Sequence, residues 1–525
     1  MTLLYLTDDC FYYILQYLKN DYSTLFNCLL VNRFWCKTTI PFLYANPFTR
    51  ISKKNHLIIS TIIFCFNKEE ILQLKKQLRL NQINNVNIDE EYKPLFEYLK
   101  YLEDYIHFEI DSTIISYYSG LSISRNKIYH DIIPIFHKSI LRQSKNIKKL
   151  DISLYLFYMY KLCENGIEKV VYKESFKNFN MQNFISNLTK LNSLSFYLNG
   201  AIDNEIEQEF LRCIANISLN LRQLIININQ ISGRLLYTYD TTFTWENLYK
   251  IIQRQNKLKI FKIWNCYSLL NNILPSLEFQ KHSLVHIEFK NTNFINVNLK
   301  SFNNLYNLEY LKFNHCEGIL LNQCEFLSFK LKELSFIRNI WNVDVTSLMI
   351  KYLGASLQRL ILIENLSNHL IENISMYCSN LIFLELRIYL YTIIDLSVLA
   401  FSKNLRLNIT ISYNINTTFF INLANINVSK ISIHINPYIS NRFLKFRKFL
   451  EYCHNNFEMI NLNHTIELEF LKIVLNYIER SNNNSLKIFG MMNLDKELND
   501  EELKLLNQIK AKGVRIMEFN SIHCL

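Results

Sequence analysis

The chain has 525 residues, of which 49% are hydrophobic and 20% charged, a composition typical of globular proteins and not of disordered ones. Its 57 basic residues are interleaved with 46 acidic ones, and the formal net charge of +11 therefore comes without the sustained basic block that nucleic-acid binding favours. With only 8 Gly and 6 Pro, glycine-rich phosphate loops are disfavoured.

Twelve cysteines lie between Cys10 and Cys524 without a Cys-x-x-Cys pair, and no secretion signal precedes them. We therefore expect a reduced, soluble, intracellular protein, cytoplasmic and/or nuclear. The longest apolar runs, 57–66 and 154–160, fall short of the roughly 20 residues that a membrane-spanning helix needs, so no membrane partner is expected.

Motifs for catalysis or cofactor binding are missing from the sequence. There is no Gly-x-Ser-x-Gly or Walker loop. His282 and His286 are four residues apart, but they flank a predicted strand start and have no Glu-x-x-His context, which disfavours a metal site. We expect a non-catalytic chain without cofactor or metal.

Residues 1–48 have the signals of three short helices. Thr7 is a candidate N-cap, and apolar residues at helical spacing follow it at Phe11, Ile14, Leu15 and Leu18. Ser23 or Thr24 can cap a second helix. A third is predicted over 34–40, ending at Pro41.

These helices carry more apolar side chains than a unit of this size can bury. The surplus consists of Tyr13, Tyr17, Leu30, Val31 and Trp35. Such a surplus predicts docking against another protein.

The segments Leu6-Thr7-Asp8-Asp9-Cys10, Ile14 to Leu18 and Cys28 to Trp35 together resemble an F-box. The resemblance implies a three-helix module that binds the Skp-family adaptor of cullin-RING ubiquitin ligases. Thr7 stands where the family usually has Pro. The adaptor-binding residues that the resemblance implies are Leu6, Ile14, Leu18, Leu30, Val31 and Trp35. The alternative is three helices that only cap a repeat array.

Residues 49–144 are predicted to form a helical spacer or atypical first repeats. Helical stretches are expected over 69–80 and 92–105, separated by the polar segment 81–87.

Residues 145–525 repeat the pattern apolar-x-x-apolar-x-apolar. From Leu258 to Leu381 the starts are 26, 24, 23, 26 and 24 residues apart, within the period of about 20–29 that is typical of leucine-rich repeats. The pattern begins at Ile147, Ile167, Leu191, Leu221, Leu258, Leu284, Leu308, Leu331, Leu357, Leu381, Val428, Phe457 and Val514, with weaker copies at Leu405 and Leu486.

Each repeat is predicted to form a short strand and a return segment. The returns look helical over 348–353, 369–377, 442–452 and 467–478. The expected fold is α/β: a three-helix F-box, a helical spacer, and a curved leucine-rich-repeat solenoid with parallel inner strands and mostly helical outer segments.

The strand positions between the buried ones are expected to face outward on the concave side and to bind a protein substrate. Across the regular repeats they include five Lys or Arg against three Glu, which favours an acidic or phosphorylated partner segment. The candidate residues are Lys262, Trp264, Lys290, Tyr310, Lys312, Arg359, Phe383 and Arg387.

The resemblance to an F-box, together with the repeats, implies the substrate-recognition subunit of an SCF-type ubiquitin ligase, which binds a target protein and leaves the chemistry to the ligase. One alternative is a leucine-rich-repeat scaffold without a ligase. Another is a receptor gated by a small molecule.

Overall fold

The structure is a computed structural model that describes most of the chain. It covers residues 8–49, 55–78, 94–121, 123–162, 168–198, 205–217, 220–228, 242–324, 329–364, 366–388, 396, 405–411, 423–424, 428–436, 441–453, 457–480, 485–519 and 521. These residues belong to two compact units, Met1–Gln280 and Lys281–Leu525. Within the described ranges, no helix is both long and apolar enough to cross a bilayer.

The first unit contains five parallel strands and a separate antiparallel hairpin, counted over its described residues. The parallel strands are β1 (Asp104–Ile106), β2 (Lys149–Ser153), β5 (Ser193–Leu198), β6 (Gln223–Ile228) and β7 (Ile260–Trp264). The hairpin strands are β3 (Tyr158–Leu162) and β4 (Glu168–Tyr172).

Helices precede and connect these strands. They are α1 (Asp8–Tyr17), α2 (Tyr22–Leu29), α3 (Arg33–Leu43), α4 (Asn55–Phe64), α5 (Lys68–Gln77), α6 (His107–Ser119), α7 (Arg125–Lys127), α8 (Ile133–Gln143), α9 (Met181–Ser186), α10 (Glu205–Asn216), α11 (Thr242–Gln253) and α12 (Leu270–Ile273).

The second unit is built from parallel strands that pair in chain order. They are β8 (His286–Lys290), β9 (Tyr310–Asn314), β10 (Glu333–Ile337), β11 (Arg359–Ile363), β12 (Phe383–Ile388), β13 (Arg406–Ile411), β14 (Lys430–Ile435), β15 (Met459–Thr465), β16 (Ile488–Met492) and β17 (Arg515–Glu518). The helices are α13 (Leu321–Cys324), α14 (Val343–Leu353), α15 (Asn368–Tyr377), α16 (Arg442–Tyr452), α17 (Leu468–Arg480) and α18 (Asp500–Ala511).

The repeat pattern determines which strand residues enter the core. On β9, β10 and β11, Leu311, Leu334 and Leu360 are register partners and all are buried. Phe313 stacks on Phe289 and on Phe336, with ring centroids 5.6 and 5.7 Å apart. Each repeat therefore adds one buried layer to the layers beside it. Apart from the copy that starts at Ile167, the predicted parallel strands are confirmed, and so are the four helical returns, including the return over 442–452.

A left-handed residue follows several strands directly. The backbone φ is positive at Asn265, Asn291, His315, Arg338 and Asn493, which come immediately after β7, β8, β9, β10 and β16. Cys266 and Cys316 come next in two of these turns and are fully buried. Asn tolerates this conformation better than other side chains except Gly, which explains its frequency here.

The N-terminal helices differ from the prediction in two details. Asp21, and not Ser23 or Thr24, caps α2: its carboxylate accepts hydrogen bonds from the Thr24 amide at 3.1 Å and the Thr24 hydroxyl at 2.7 Å. Helix α3 continues through Pro41, because the proline lies in the last turn and the Tyr44 amide still bonds to the Ile40 carbonyl at 3.0 Å.

Two further predictions were wrong. The stretch 92–105 is not a helix where it is described: a 3-10 turn spans Tyr98–Tyr101, and β1 follows, because pairing with β2 outweighs the helix-like spacing of the apolar residues. The copy of the repeat starting at Ile167, which itself lies outside the described residues, leads into β4; this strand pairs antiparallel with β3 and stands apart from the parallel sheet.

Candidate protein-interaction surfaces

The first candidate surface lies on α1, α2 and α3. Leu15, Leu25 and Ile40 are buried and form the small core among these helices. Phe11 packs edge-on against Phe34 and Trp35, with ring centroids 5.1 Å apart in both pairs. Asn32 is the N-cap of the third helix. Its side-chain oxygen accepts a hydrogen bond from the Trp35 amide at 3.0 Å.

Many large apolar side chains of these helices remain exposed, as the apolar surplus predicts. Tyr17 is 90% exposed, Leu30 74% and Val31 60%. The others that are exposed are Tyr12, Tyr13, Ile14, Phe26 and Phe34. Isolated apolar residues on a surface are ordinary, but eight on or beside three short helices are a concentration of the kind that marks a protein-binding site, and we call these eight side chains the apolar patch.

The predicted adaptor-binding residues lie in different environments. Ile14, Leu30 and Val31 are exposed, whereas Leu18 and Trp35 are half-buried. Leu6 and the candidate cap Thr7 lie outside the described residues. The structure therefore places five of the six predicted residues on the three-helix unit.

The segment after α3 is joined to the first strand of the parallel sheet. The Ala45 carbonyl accepts hydrogen bonds from the backbone amides of Glu103 and Asp104 at 2.8 and 3.2 Å. The Asn46 side-chain amide donates to the Asp104 carboxylate at 3.1 Å. The Tyr44 and Tyr98 rings are 4.6 Å apart. These contacts attach the segment after α3 to the first strand of the parallel sheet.

The second candidate surface is the outward face of the sheet in the second unit. Strand pairing places its side chains in rows, one residue from each strand. One row runs His286, Tyr310, Glu333, Arg359, Phe383, Arg406, Lys430. The next runs Glu288, Lys312, Ser335, Ile361, Glu385, Asn408, Ser432.

Arg359 is the centre of the first row. Its guanidinium pairs with the Glu333 carboxylate at 3.0 Å and lies 4.4 Å from the centre of the Phe383 ring, which Arg406 also approaches at 6.0 Å. Phe383 is therefore only 9% exposed. Two arginines cover the ring of this predicted substrate-binding residue, and its role in binding stays a prediction.

The carboxylate and guanidinium groups around Arg359 have shifted pKa values. Burial raises the pKa of Glu385, and the nearby Arg359 partly offsets the rise. Burial lowers the pKa of Arg406, and the positive charge of Arg359 lowers it further. Both shifts follow from charges held together at a partly dehydrated surface.

The other predicted substrate-binding residues are distributed over both units. Tyr310 is half-buried and stacks on His286 with centroids 6.0 Å apart, and Lys312 lies 3.6 Å from the Glu288 carboxylate. Lys290 and Arg387 are half-buried on β8 and β12. Lys262 and Trp264 are half-buried on β7, in the first unit.

The C-terminal part of the sheet face in the second unit is covered by its own chain. Phe519, which follows β17, packs edge-on against His434 with centroids 4.7 Å apart. Its carbonyl accepts the Asn461 side-chain amide at 3.4 Å. Ser432 and Asn461 are fully buried at this end of the face.

Three basic residues of the second unit were not among the predicted substrate-binding residues, although His315 had been identified as a turn residue after its strand. Arg406 lies on a strand preceded by a weak copy of the repeat pattern. His315 and Arg338 occupy the left-handed turn position directly after β9 and β10 and are exposed. The repeat period could have located His315 and Arg338, since each directly follows a predicted strand.

Among the described residues, no cluster of three or more His, Cys, Asp or Glu side chains is arranged to hold a metal ion. His282 packs on Tyr306, with ring centroids 5.6 Å apart, and His286 on Tyr310. No known family model matches the chain. No curated protein is significantly similar to it.

Proposed function

We propose that the chain is a non-catalytic substrate receptor of an SCF-type cullin-RING ubiquitin ligase. Helices α1–α3 bind the Skp-family adaptor, and a sheet face of the repeats binds the protein to be ubiquitylated. The chain contributes proximity: it raises the effective concentration of a substrate lysine near the ubiquitin-carrying enzyme.

The observation that carries this proposal is the apolar patch on α1–α3. Exposing Tyr17, Leu30 and Val31 to water has a free-energy cost that binding to a partner would remove. Leu30 and Val31 adjoin each other directly after α2, where Leu30 is the C-cap residue. A partner with an apolar groove fits such a surface.

The attachment of α3 to β1 favours a second candidate function. The bonds from Ala45 and Asn46 to Glu103 and Asp104 are what a capping element would make with the first strand of a repeat array. Under this alternative, the chain is a protein-binding scaffold without a ligase, and α1–α3 protect the end of the sheet.

A pull-down with the purified Skp-family adaptor tests the first function. We expect the full chain to retain the adaptor, and the double variant Leu30→Ser/Val31→Ser to retain at least tenfold less, because both side chains are exposed and contribute to binding rather than folding. Leu72→Ser is the matched control, since Leu72 is similarly exposed on α5.

Failure of the wild-type chain to bind the adaptor, while a known F-box protein binds it, would exclude the ligase function. The thermal stability of Trp35→Ala then addresses the alternative. If α1–α3 serve as a cap, loss of the Phe11–Trp35 contact lowers the melting temperature of the repeats. If they serve as a docking module, the repeats keep their melting temperature.

A further inference from the structure

Lys173 lies directly after β4 in the first unit, and its side chain is buried. The residue is only 6% exposed. Backbone hydrogen bonds fix its position: its amide donates to the Phe157 carbonyl at 2.9 Å, and its carbonyl accepts from the Phe176 amide at 2.8 Å. Lysine is almost never buried to this degree unless its charge is paired, so the groups around the Lys173 ammonium determine its chemistry.

The Lys173 ammonium has an aromatic ring as its neighbour. Its nitrogen lies 4.9 Å from the centre of the Tyr155 ring. Within the described part of the chain, no oxygen accepts a hydrogen bond from this nitrogen and no carboxylate forms an ion pair with it. Tyr155 is 42% exposed, so the buried amine lies beside a ring that is partly open to solvent.

Asp111 on α6 is the carboxylate whose charge acts on this amine. One of its oxygens accepts a hydrogen bond from Nε2 of His137 at 2.6 Å, and the Tyr105 hydroxyl donates to Nδ1 of the same imidazole at 2.5 Å. Tyr105 and His137 are both buried, so this chain of hydrogen bonds holds Asp111 in one orientation. The other oxygen of Asp111 bonds to no described residue and remains an acceptor.

Burial and the Asp111 carboxylate act on the pKa of Lys173 in opposite directions. Burial lowers this pKa, the negative charge of Asp111 partly offsets the lowering, and the resulting pKa is about 8. At pH 7 about a tenth of such an amine is neutral, against less than about a thousandth for a lysine at its ordinary value of 10.5. Because the neutral amine is the nucleophile, Lys173 has far more of the reactive form than an ordinary lysine.

We propose that Lys173 is a modification site for small aldehydes, with which its amine forms an imine. The Nζ atom attacks the carbonyl carbon, and a carbon–nitrogen bond forms. Both hydrogens of the amine leave with the carbonyl oxygen as water, and nothing is oxidised or reduced. Asp111 accepts the first of these protons from the nitrogen and returns it to the departing hydroxyl. This inference goes beyond the proposed function and does not depend on it.

The charges around Lys173 favour an imine over other products of a lysine. A protonated imine is a cation, which the Asp111 carboxylate and the face of the Tyr155 ring both stabilise. Carbon dioxide would instead convert the amine into a carbamate anion, which the same carboxylate repels. Acylation would give a neutral amide, which gains nothing from either group. The burial of Lys173 restricts the reaction to small carbonyl compounds.

Reductive ethylation of the full chain with acetaldehyde and cyanoborohydride at pH 7 tests the proposal. Hydride from the reagent converts each imine into a stable ethylamine, and peptide mass spectrometry gives the rate at each lysine. Lys177 is the matched control, because it is exposed and follows in the same segment. We expect Lys173 to be ethylated at least threefold faster than Lys177 in the folded chain, and at the same rate in urea.

Asp111→Asn tests the part of the carboxylate. The variant keeps an oxygen that can accept the His137 hydrogen bond but removes the charge. At pH 9, where most of the Lys173 amine is neutral with or without Asp111, we expect its ethylation to slow at least threefold while that of Lys177 is unchanged. The melting temperature of the variant checks that it folds.

Ethylation of Lys173 no faster than that of Lys177 in the folded wild type would overturn the proposal. This comparison is made within one chain and requires no variant to fold. An unchanged rate at Lys173 in folded Asp111→Asn would contradict the proposal as well. The adaptor is absent from the assay, so its outcome is independent of adaptor binding.

Discussion

The three N-terminal helices and the sheet of the second unit expose opposite kinds of chemistry. Helices α1–α3 expose Tyr17, Leu30 and Val31, and their buried core is small. In the second unit the apolar residues point into a layered core, and the outward rows contain paired charges such as Arg359 with Glu333. One surface is rich in exposed apolar side chains; the other is polar and carries paired charges.

This difference suggests a division of labour. Apolar patches that are costly to expose are suited to a permanent partner, whereas charged and hydrogen-bonding surfaces provide specificity and allow release. The receptor that we propose, which stays on one adaptor and exchanges its substrates, would need both. The predictions that follow test whether the two regions differ in the way this division requires.

The largest expected effect is a difference in the free energy of unfolding between a core substitution and a surface substitution. Phe313→Ala removes the central ring of the Phe289–Phe313–Phe336 stack and should lower the free energy of unfolding by about 3–5 kcal/mol, because a fully buried ring leaves a cavity. Tyr17→Ala, at 90% exposure, should change it by less than about 0.5 kcal/mol. Urea unfolding followed by circular dichroism measures both.

If Tyr17→Ala is as destabilising as Phe313→Ala, the apolar patch on α1–α3 contributes to folding and is not a free docking surface. The difference between the exposed side chains of α1–α3 and the buried core of the second unit would then not hold.

Cysteine reactivity should distinguish the same regions. Burial raises the pKa of Cys266 and of Cys316 to about 12, so at pH 8 almost none of either thiol is ionised. Cys10 on α1 is exposed. We expect iodoacetamide to modify Cys10 at least about 100-fold faster than Cys316, since the buried thiol reacts only after local opening. Peptide mass spectrometry gives the rates.

Full modification of every cysteine in urea is the control for this experiment. Comparable rates at Cys10 and Cys316 in the native protein would mean that the turns after the strands open readily, and would contradict the layered core.

The smallest expected effect concerns Glu364. Burial raises the pKa of its carboxyl group in the folded chain, so folding favours the protonated form; this contribution is complete below the ordinary value of 4.5 and is lost as the pH rises. Relative to Glu364→Gln, the wild type should therefore lose stability between pH 4 and 7, by less than about 1 kcal/mol. Melting curves of both proteins across this range test the sign; parallel curves would show that the carboxyl is not perturbed.

The repeats were the easiest part to predict. Leu258, Leu284 and Leu308 open copies of one pattern, and each copy leads into a parallel strand where it was expected. The prediction failed where a local pattern had to compete with tertiary pairing: the stretch 92–105 has helical spacing but contributes β1, and the segment after Ile167 pairs antiparallel. The prediction that α3 ends at Pro41 failed because this proline lies in the last turn of the helix, where it does not end it.

The candidate surfaces were predictable only in part. The apolar surplus of residues 1–48 is visible in the composition alone, and so are the outward strand positions. Whether neighbouring side chains cover these outward positions cannot be seen in the composition. Phe383 is hidden by Arg359, from the preceding strand, and by Arg406, from the following one. His434 is covered by Phe519, which is 85 residues further along the chain.

The sequence by itself therefore determined the period, the parallel strands and the amphipathic helices, because these depend on side chains a few residues apart. Only the tertiary structure decided which outward residues remain accessible. That property depends on neighbours from other strands: the Phe383 ring is covered by Arg359 and Arg406, which pairing of β11, β12 and β13 brings to it.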